Sequence, residues 1–109
     1  MAVVKSNAYG HGLVPYSKEV VRLGIKFLGV DSFEEALELR ASGIKTRIMV
    51  FGYVSPAYYR EASEKNISVT VSNMVALENL IKTKLTKKIK IHIKVDTGLG
   101  RQGFLMNEL

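Results

Sequence analysis

The sequence predicts an α/β fold built on parallel strands, and three observations carry that expectation. Short β-branched runs alternate with amphipathic stretches of helical period along the 109 residues. The strand-like runs recur roughly every twenty to twenty-four residues, a spacing that suits β–α–β crossovers rather than hairpins. An internal echo, Gly24-Ile25-Lys26 and Gly43-Ile44-Lys45, sits twice between a predicted helix and a predicted strand.

Val3-Val4 is the first strand. A helix is predicted around Tyr16 to Leu23, with Tyr16, Val20 and Leu23 on its apolar face and Gly24 as its stop. Phe27 to Val30 is a short buried strand. Ser32-Phe33-Glu34-Glu35 has the form of a capping box, in which Ser32 accepts the Glu35 amide and Glu35 reaches back. The helix it opens is expected to bury Phe33, Ala36, Leu37 and Ala41, to leave Glu34, Glu35 and Glu38 in water, and to end at Gly43. Ile48 to Phe51 is the third strand. Ser55-Pro56 reads as an N-cap with proline in the first helical position, opening a helix that ends near Asn66. Tyr58-Tyr59 should pack on that helix with one ring exposed. Ile67 to Val71 is the fourth strand, and Ser72 caps a helix burying Met74, Leu77, Leu80 and Ile81. Ile89 to Val95 is the fifth.

Five strands and four helices are too few for an eight-stranded (β/α) barrel, which takes about 200 residues or more. They suit either a complete doubly wound sheet or a piece of a barrel, and the pattern alone leaves both open.

Composition narrows the setting. The chain is one domain at most, with 47% apolar residues and no cysteine, so neither disulfides nor thiolate metal sites arise. No apolar run is long enough for a bilayer and no signal peptide precedes the first strand, so a cytoplasmic protein without membrane contact is expected. The net charge of +6 concentrates in Lys82, Lys84, Lys87, Lys88, Lys90 and Lys94. Without interleaved aromatics this cluster reads as a solvated helix end, not a nucleic-acid surface.

Two stretches carry chemistry. Ala2 to Gly12, AVVKSNAYGHG, is a strand ending on Lys5 and opening into small and glycine residues. An amine set against an apolar strand can be partly desolvated, which suits it to Schiff-base formation. Ile91 to Phe104, IHIKVDTGLGRQGF, has the same form. Alternation puts Ile91, Ile93 and Val95 on one face, suited to packing against helices. Lys90, His92, Lys94 and Asp96 fall on the other, an unexpected place for charge unless a polar site is there. Gly98, Gly100 and Gly103 let the following loop approach a ligand. His11 reads as a loop-shaping residue and His92 as an inward hydrogen-bonding group, since no cluster of metal ligands accompanies either.

Together these stretches resemble the alanine racemase family in its N-terminal barrel domain. Ala2 to Gly12 looks like the family's pyridoxal-phosphate lysine motif, and Lys94 to Phe104 its second signature; Ser32 to Ala36 and Phe51-Gly52 fit between them. The family usually has alanine at Ser6, methionine at Leu99 and leucine at Gln102. The resemblance implies part of a (β/α)8 barrel, the cofactor pyridoxal 5'-phosphate, and interconversion of L- and D-alanine for peptidoglycan. It implies that Lys5 forms the internal aldimine and exchanges the substrate α-proton. Tyr9 would help hold the cofactor phosphate, Arg101 would stabilise its phenolic oxygen, and Lys94, carbamylated in many members, would position Arg101. No metal is implied.

By the same resemblance the chain is a partial N-terminal barrel domain without the C-terminal β-domain. The arginine at the pyridine nitrogen and the second base, a partner's tyrosine, would be missing. A fragment with little activity of its own, associating through open strand edges, is expected. The alternative is a non-catalytic α/β module binding a protein or a phosphorylated small molecule; Lys5 and Arg101, neither needed for a sheet, speak against it.

Overall fold

The computed structural model describes residues 1–109 and holds one five-stranded sheet in the order β1-β2-β3-β4-β5. The strands are β1 (Ala2–Val3), β2 (Phe27–Val30), β3 (Arg47–Val50), β4 (Ile67–Val71) and β5 (Ile91–Ile93), and every neighbouring pair is parallel. The order is strictly sequential. A flavodoxin-like sheet would place later strands on both sides of an early one, so the doubly wound alternative is ruled out. What remains is an arc of barrel-type βα units, unclosed between β1 and β5.

Alternation along the strands separates two faces. Val4, Leu28, Val30, Ile48, Val50, Ile67, Val69 and Val71 point to the face that carries the helices, each at most 1% exposed. Each such side chain contributes about 1.5–3 kcal/mol of transfer free energy, so this layer dominates stability. They join Phe33, Ala36 and Leu39 of α3 (Phe33–Ala41) and Tyr59 and Ala62 of α4 (Tyr59–Glu64) in one core. The opposite face is only partly covered: Phe27, Met49, Thr70 and His92 are half-buried. Gly29 lies on this face beneath Phe51, and a Cβ there would stand 2.5 Å from the ring. The glycine is what lets the aromatic lie flat across β2.

Several elements differ from the sequence expectation. There are five helices, because Lys5–Tyr9 (α1) forms a short helical turn of its own. α2 runs Leu13–Arg22, starting three residues early, and buries Leu13 and Ser17 while Tyr16 and Leu23 are exposed. Val20 is half-buried, so the apolar face is turned from the one predicted. In α3 the capping box forms: the Glu35 amide donates to Ser32 Oγ at 3.2 Å and the Ser32 amide to Glu35 Oε2 at 3.3 Å. Phe33 and Ala36 are buried as expected, whereas Ala41 is exposed and Leu39 fully buried. Ser55-Pro56 opens a 3-10 turn (Pro56–Tyr58) before α4, with no side-chain cap. Tyr59 is buried and Tyr58 exposed, as foreseen. α5 (Met74–Lys82) is capped by Asn73, not Ser72: its Oδ1 accepts the Ala76 amide at 2.8 Å. Met74 and Ile81 of that helix face solvent. β5 is three residues long where seven were expected, and Ile91 and Ile93 remain exposed because no helix of this chain packs over them.

Candidate active site

The site lies at the C-terminal ends of the strands, where parallel sheets with flanking helices bind ligands. Its first component leaves β1. The Val4 amide donates to Gly29 O at 2.8 Å, carrying the pairing one residue past the strand and delivering Lys5 to the sheet rim. The chain then turns with left-handed geometry: Ser6, Asn7, Ala8 and Tyr9 have φ of 54, 55, 51 and 53°. For L-residues that conformation costs roughly 1–2 kcal/mol each, so neighbouring contacts must impose it. The Ala8 amide donates to Val4 O at 2.9 Å and the Leu13 amide to Asn7 Oδ1 at 2.8 Å, while Ala8 is buried. The result is a compact left-handed turn held by these bonds, in the stretch that the sequence marks only by its small and glycine residues.

The second component leaves β5. The Lys94 amide donates to Val71 O at 2.9 Å, and a bridge between Val95 and Phe104 closes the loop between them. Phe104 is the buried anchor: its amide donates to Lys94 O at 2.8 Å and its carbonyl accepts the Asp96 amide at 2.9 Å. Asp96 organises the interior of this loop, its Oδ1 accepting the Gly98 and Gly100 amides at 2.9 and 3.1 Å. Those amides hold its carboxyl below the usual carboxylate range. Asp96 thus shapes the loop that presents Arg101. Gly103, at φ 135°, is required where it stands, because a Cβ would lie 2.5 Å from the Asp96 nitrogen.

Between the two components opens a cavity of about 690 Å³. Lys5, Tyr9, Lys94 and Arg101, the four residues singled out from sequence, all line it. Lys5 and Lys94 are half-buried; Tyr9 and Arg101 are exposed at the mouth. Three cations face one carboxylate, Asp31, so the cavity favours an anionic ligand. Lys94 Nζ donates to Gln102 Oε1 at 3.4 Å. Asp31 was missed in the sequence, although its position directly after β2 is the signal that would have found it. Tyr53 was missed as well; it lies in the segment after Phe51, with nothing in the local pattern to mark it.

The histidines stand apart from this cavity. His11 stacks on Tyr16 with ring centroids 5.6 Å apart. His92 lies on the partly covered face, tilted against Phe27 at 5.9 Å, and lines a smaller recess of about 290 Å³ with Thr70 and Lys94. Its inward orientation agrees with the strand alternation.

The donor set suits pyridoxal 5'-phosphate. A primary amine is available for an aldehyde, and a guanidinium and a phenol are available for anionic oxygens, within a cavity of positive balance.

Comparison with known proteins shows the family. Residues 1–109 match the family described as alanine racemase, N-terminal domain. Alanine racemase 1 of Caldanaerobacter subterraneus subsp. tengcongensis is 44% identical over 107 residues, covering 96% of this chain and 28% of that protein. Among solved structures, the alanine racemase from E. faecalis superposes with a TM-score of 0.91 at 38% identity, over 99% of this chain and 30% of that one. The histidine racemase from Leuconostoc mesenteroides subsp. sake superposes at 0.87 with 35% identity, over 96% and 29%. The chain therefore spans less than a third of the length of the racemases it matches. A family match over every residue and a sequential parallel sheet that superposes on solved racemases lead to one conclusion: the chain belongs to the alanine racemase N-terminal domain family.

Proposed function

We propose that this chain is a partial N-terminal barrel domain of an alanine racemase-like protein, holding pyridoxal 5'-phosphate through Lys5 and serving the interconversion of L- and D-alanine. The observation that carries the reading is the convergence of Lys5, Tyr9, Lys94 and Arg101 on one cavity of net positive charge. When bound, the cofactor supplies an electron-withdrawing ring that acidifies the substrate α-carbon. The residues do the rest. Lys5 would hold the cofactor through its amine, and that amine would be the base that removes or returns the substrate's α-proton on one face. The Tyr9 phenol would supply a donor to the phosphate, and the Arg101 guanidinium would stabilise negative charge on the phenolic oxygen. Lys94 stands here as a free amine, donating to Gln102 Oε1; as the carbamate that the resemblance implies, formed with carbon dioxide, it would become an anion able to pair with Arg101 and would bring the cavity near neutral.

Racemisation needs proton donors and acceptors on both faces of the α-carbon. Lys5 serves one face; the resemblance assigns the other to a tyrosine of a partner subunit. The chain by itself is therefore expected to bind cofactor with little or no turnover, and to work in a cytoplasmic homo-oligomer that supplies D-alanine for peptidoglycan. The histidine racemase among its structural neighbours favours a second reading, an amino acid other than alanine as substrate, with the same role for Lys5.

The test incubates the chain with pyridoxal phosphate, reduces with borohydride and maps the label by mass spectrometry. Label concentrated on Lys5, and lost from that peptide in Lys5→Ala without appearing elsewhere, is the expected result. Label spread evenly over the lysines overturns the reading. Racemisation of L-alanine against L-histidine, with the remaining portion of a relative added, separates the two substrates.

A further inference from the structure

The Glu35 carboxylate does more than cap α3. A capping box uses one carboxylate oxygen to reach back to the N-cap amide. Here Oε2 accepts from both Asp31 N, at 2.9 Å, and Ser32 N, at 3.3 Å. Oε1 is left to face the Asn7 amide at 3.4 Å, across 28 residues of sequence. Asn7 sits at φ 55° in the middle of the left-handed turn that follows Lys5. The other side-chain bond to this turn, from the Leu13 amide to Asn7 Oδ1, arises inside the same segment. Glu35 is thus the only side chain from outside that hydrogen-bonds to the turn, adding to the packing of Ala8 in the core. It also fixes the backbone of Asp31, which lines the same cavity as Lys5.

We propose that Glu35 is a positioning residue for Lys5: by accepting the Asn7 amide while bound to the Asp31 and Ser32 amides, it locks the left-handed turn and so aims the amine. The physical need is clear. Successive L-residues in left-handed geometry relax unless something outside compensates, and the Glu35 carboxylate, at 3.4 Å from the Asn7 amide, is the charged acceptor placed to add to that compensation. The proposal rests on the reading of Lys5 as the cofactor amine.

The experiment compares the full chain with Glu35→Ala, Glu35→Gln and Ser32→Ala. Ser32→Ala removes the α3 cap and leaves the Asn7 contact, so it controls for simple loss of helix stability. Two readouts are taken: the share of borohydride-trapped pyridoxal phosphate on Lys5 relative to the other lysines, and amide exchange at Asn7, Ala8 and Tyr9. Glu35→Ala should lower the Lys5 share several-fold and speed exchange in the turn by about tenfold, while Ser32→Ala leaves both near the parent value although loss of the cap lowers its melting temperature as well. Glu35→Gln, which keeps an acceptor oxygen, should fall between and decides the matter if Glu35→Ala does not fold. Equal effects of Ser32→Ala and the Glu35 variants overturn the proposal, as does unchanged turn exchange in Glu35→Ala. Unselective labelling of the parent instead defeats the cofactor reading, and the exchange data still decide the role of Glu35.

Discussion

The Arg40 guanidinium donates through Nη2 to the Asn66 carbonyl at 2.9 Å, joining the end of α3 to the turn that precedes β4. The same side chain donates to the carbonyls of Lys65, Ile44 and Thr46, at 2.8, 2.9 and 2.8 Å. One planar fork therefore satisfies four backbone acceptors in two adjacent αβ turns, at the end of the sheet opposite the cavity. Partial burial lowers its pKa from the ordinary arginine value.

Arg40→Met should cost about 2–4 kcal/mol of stability, because it leaves four carbonyls without their donor. Arg40→Lys should recover little, since an ammonium cannot span the same fork. Thermal and urea melts of the two variants check this; a lysine variant as stable as the parent would refute the fork argument.

Acid should loosen the loop between Asp96 and Phe104 before the core unfolds. The Asp96 carboxyl is held below its ordinary value by the Gly98 and Gly100 amides. Its contribution is complete above the unfolded value near ~3.9 and is lost as pH falls through the lower folded pKa. Amide resonances of Gly98 and Gly100 should shift in that window. Asp96→Asn keeps an acceptor oxygen and should remove the acid step.

Ser17 is fully buried in α2, and its hydroxyl has no hydrogen-bond partner. Ser17→Ala should be neutral or stabilising by up to about 1 kcal/mol, from relief of the unsatisfied hydroxyl and better helix propensity. A melting temperature several degrees below the parent would show that the hydroxyl is satisfied after all.

Gly29→Ala should displace the Phe51 ring, because the new methyl group would occupy its place. Phe51 lines the cavity, so overpacking here costs about 1–3 kcal/mol and narrows the site as well. Weaker trapping of pyridoxal phosphate on Lys5, alongside a lower melting temperature, is the expected pair of results.

Light scattering at rising concentration should reveal dimers or larger species, since the β5 edge is unpaired and Ile91 and Ile93 are exposed. Ile93→Lys should shift the distribution toward monomer without lowering stability by more than about 0.5 kcal/mol.

The strands were legible because a parallel sheet covered by helices needs continuous apolar runs. Phe27–Val30 and Ile67–Val71 have the expected bounds, and β3 is displaced by one residue. The face of α2 was not legible: Ser17 is buried and Tyr16 exposed, an inversion of ordinary hydropathy that only tertiary packing dictates. Met74 and Ile81 misled for the related reason that apolar character shows what a surface could bury, not that a partner is present. At the site, the reactive side chains were recognisable from their order in two short motifs. The left-handed turn beneath Lys5 was not, because SNAY has no glycine to announce positive φ, and contacts 28 residues away, such as Glu35, help impose it.

Strand order has a kinetic and architectural consequence. Every ladder joins strands that follow one another in the chain, so each pairing closes a loop of only roughly twenty residues, and none waits for a distant segment. Such a sheet can assemble by accretion, one βα unit upon the last, as the chain emerges. The exposed flank of β5 is then a growth front: a further βα unit could dock there without rearranging any hydrogen bond already made.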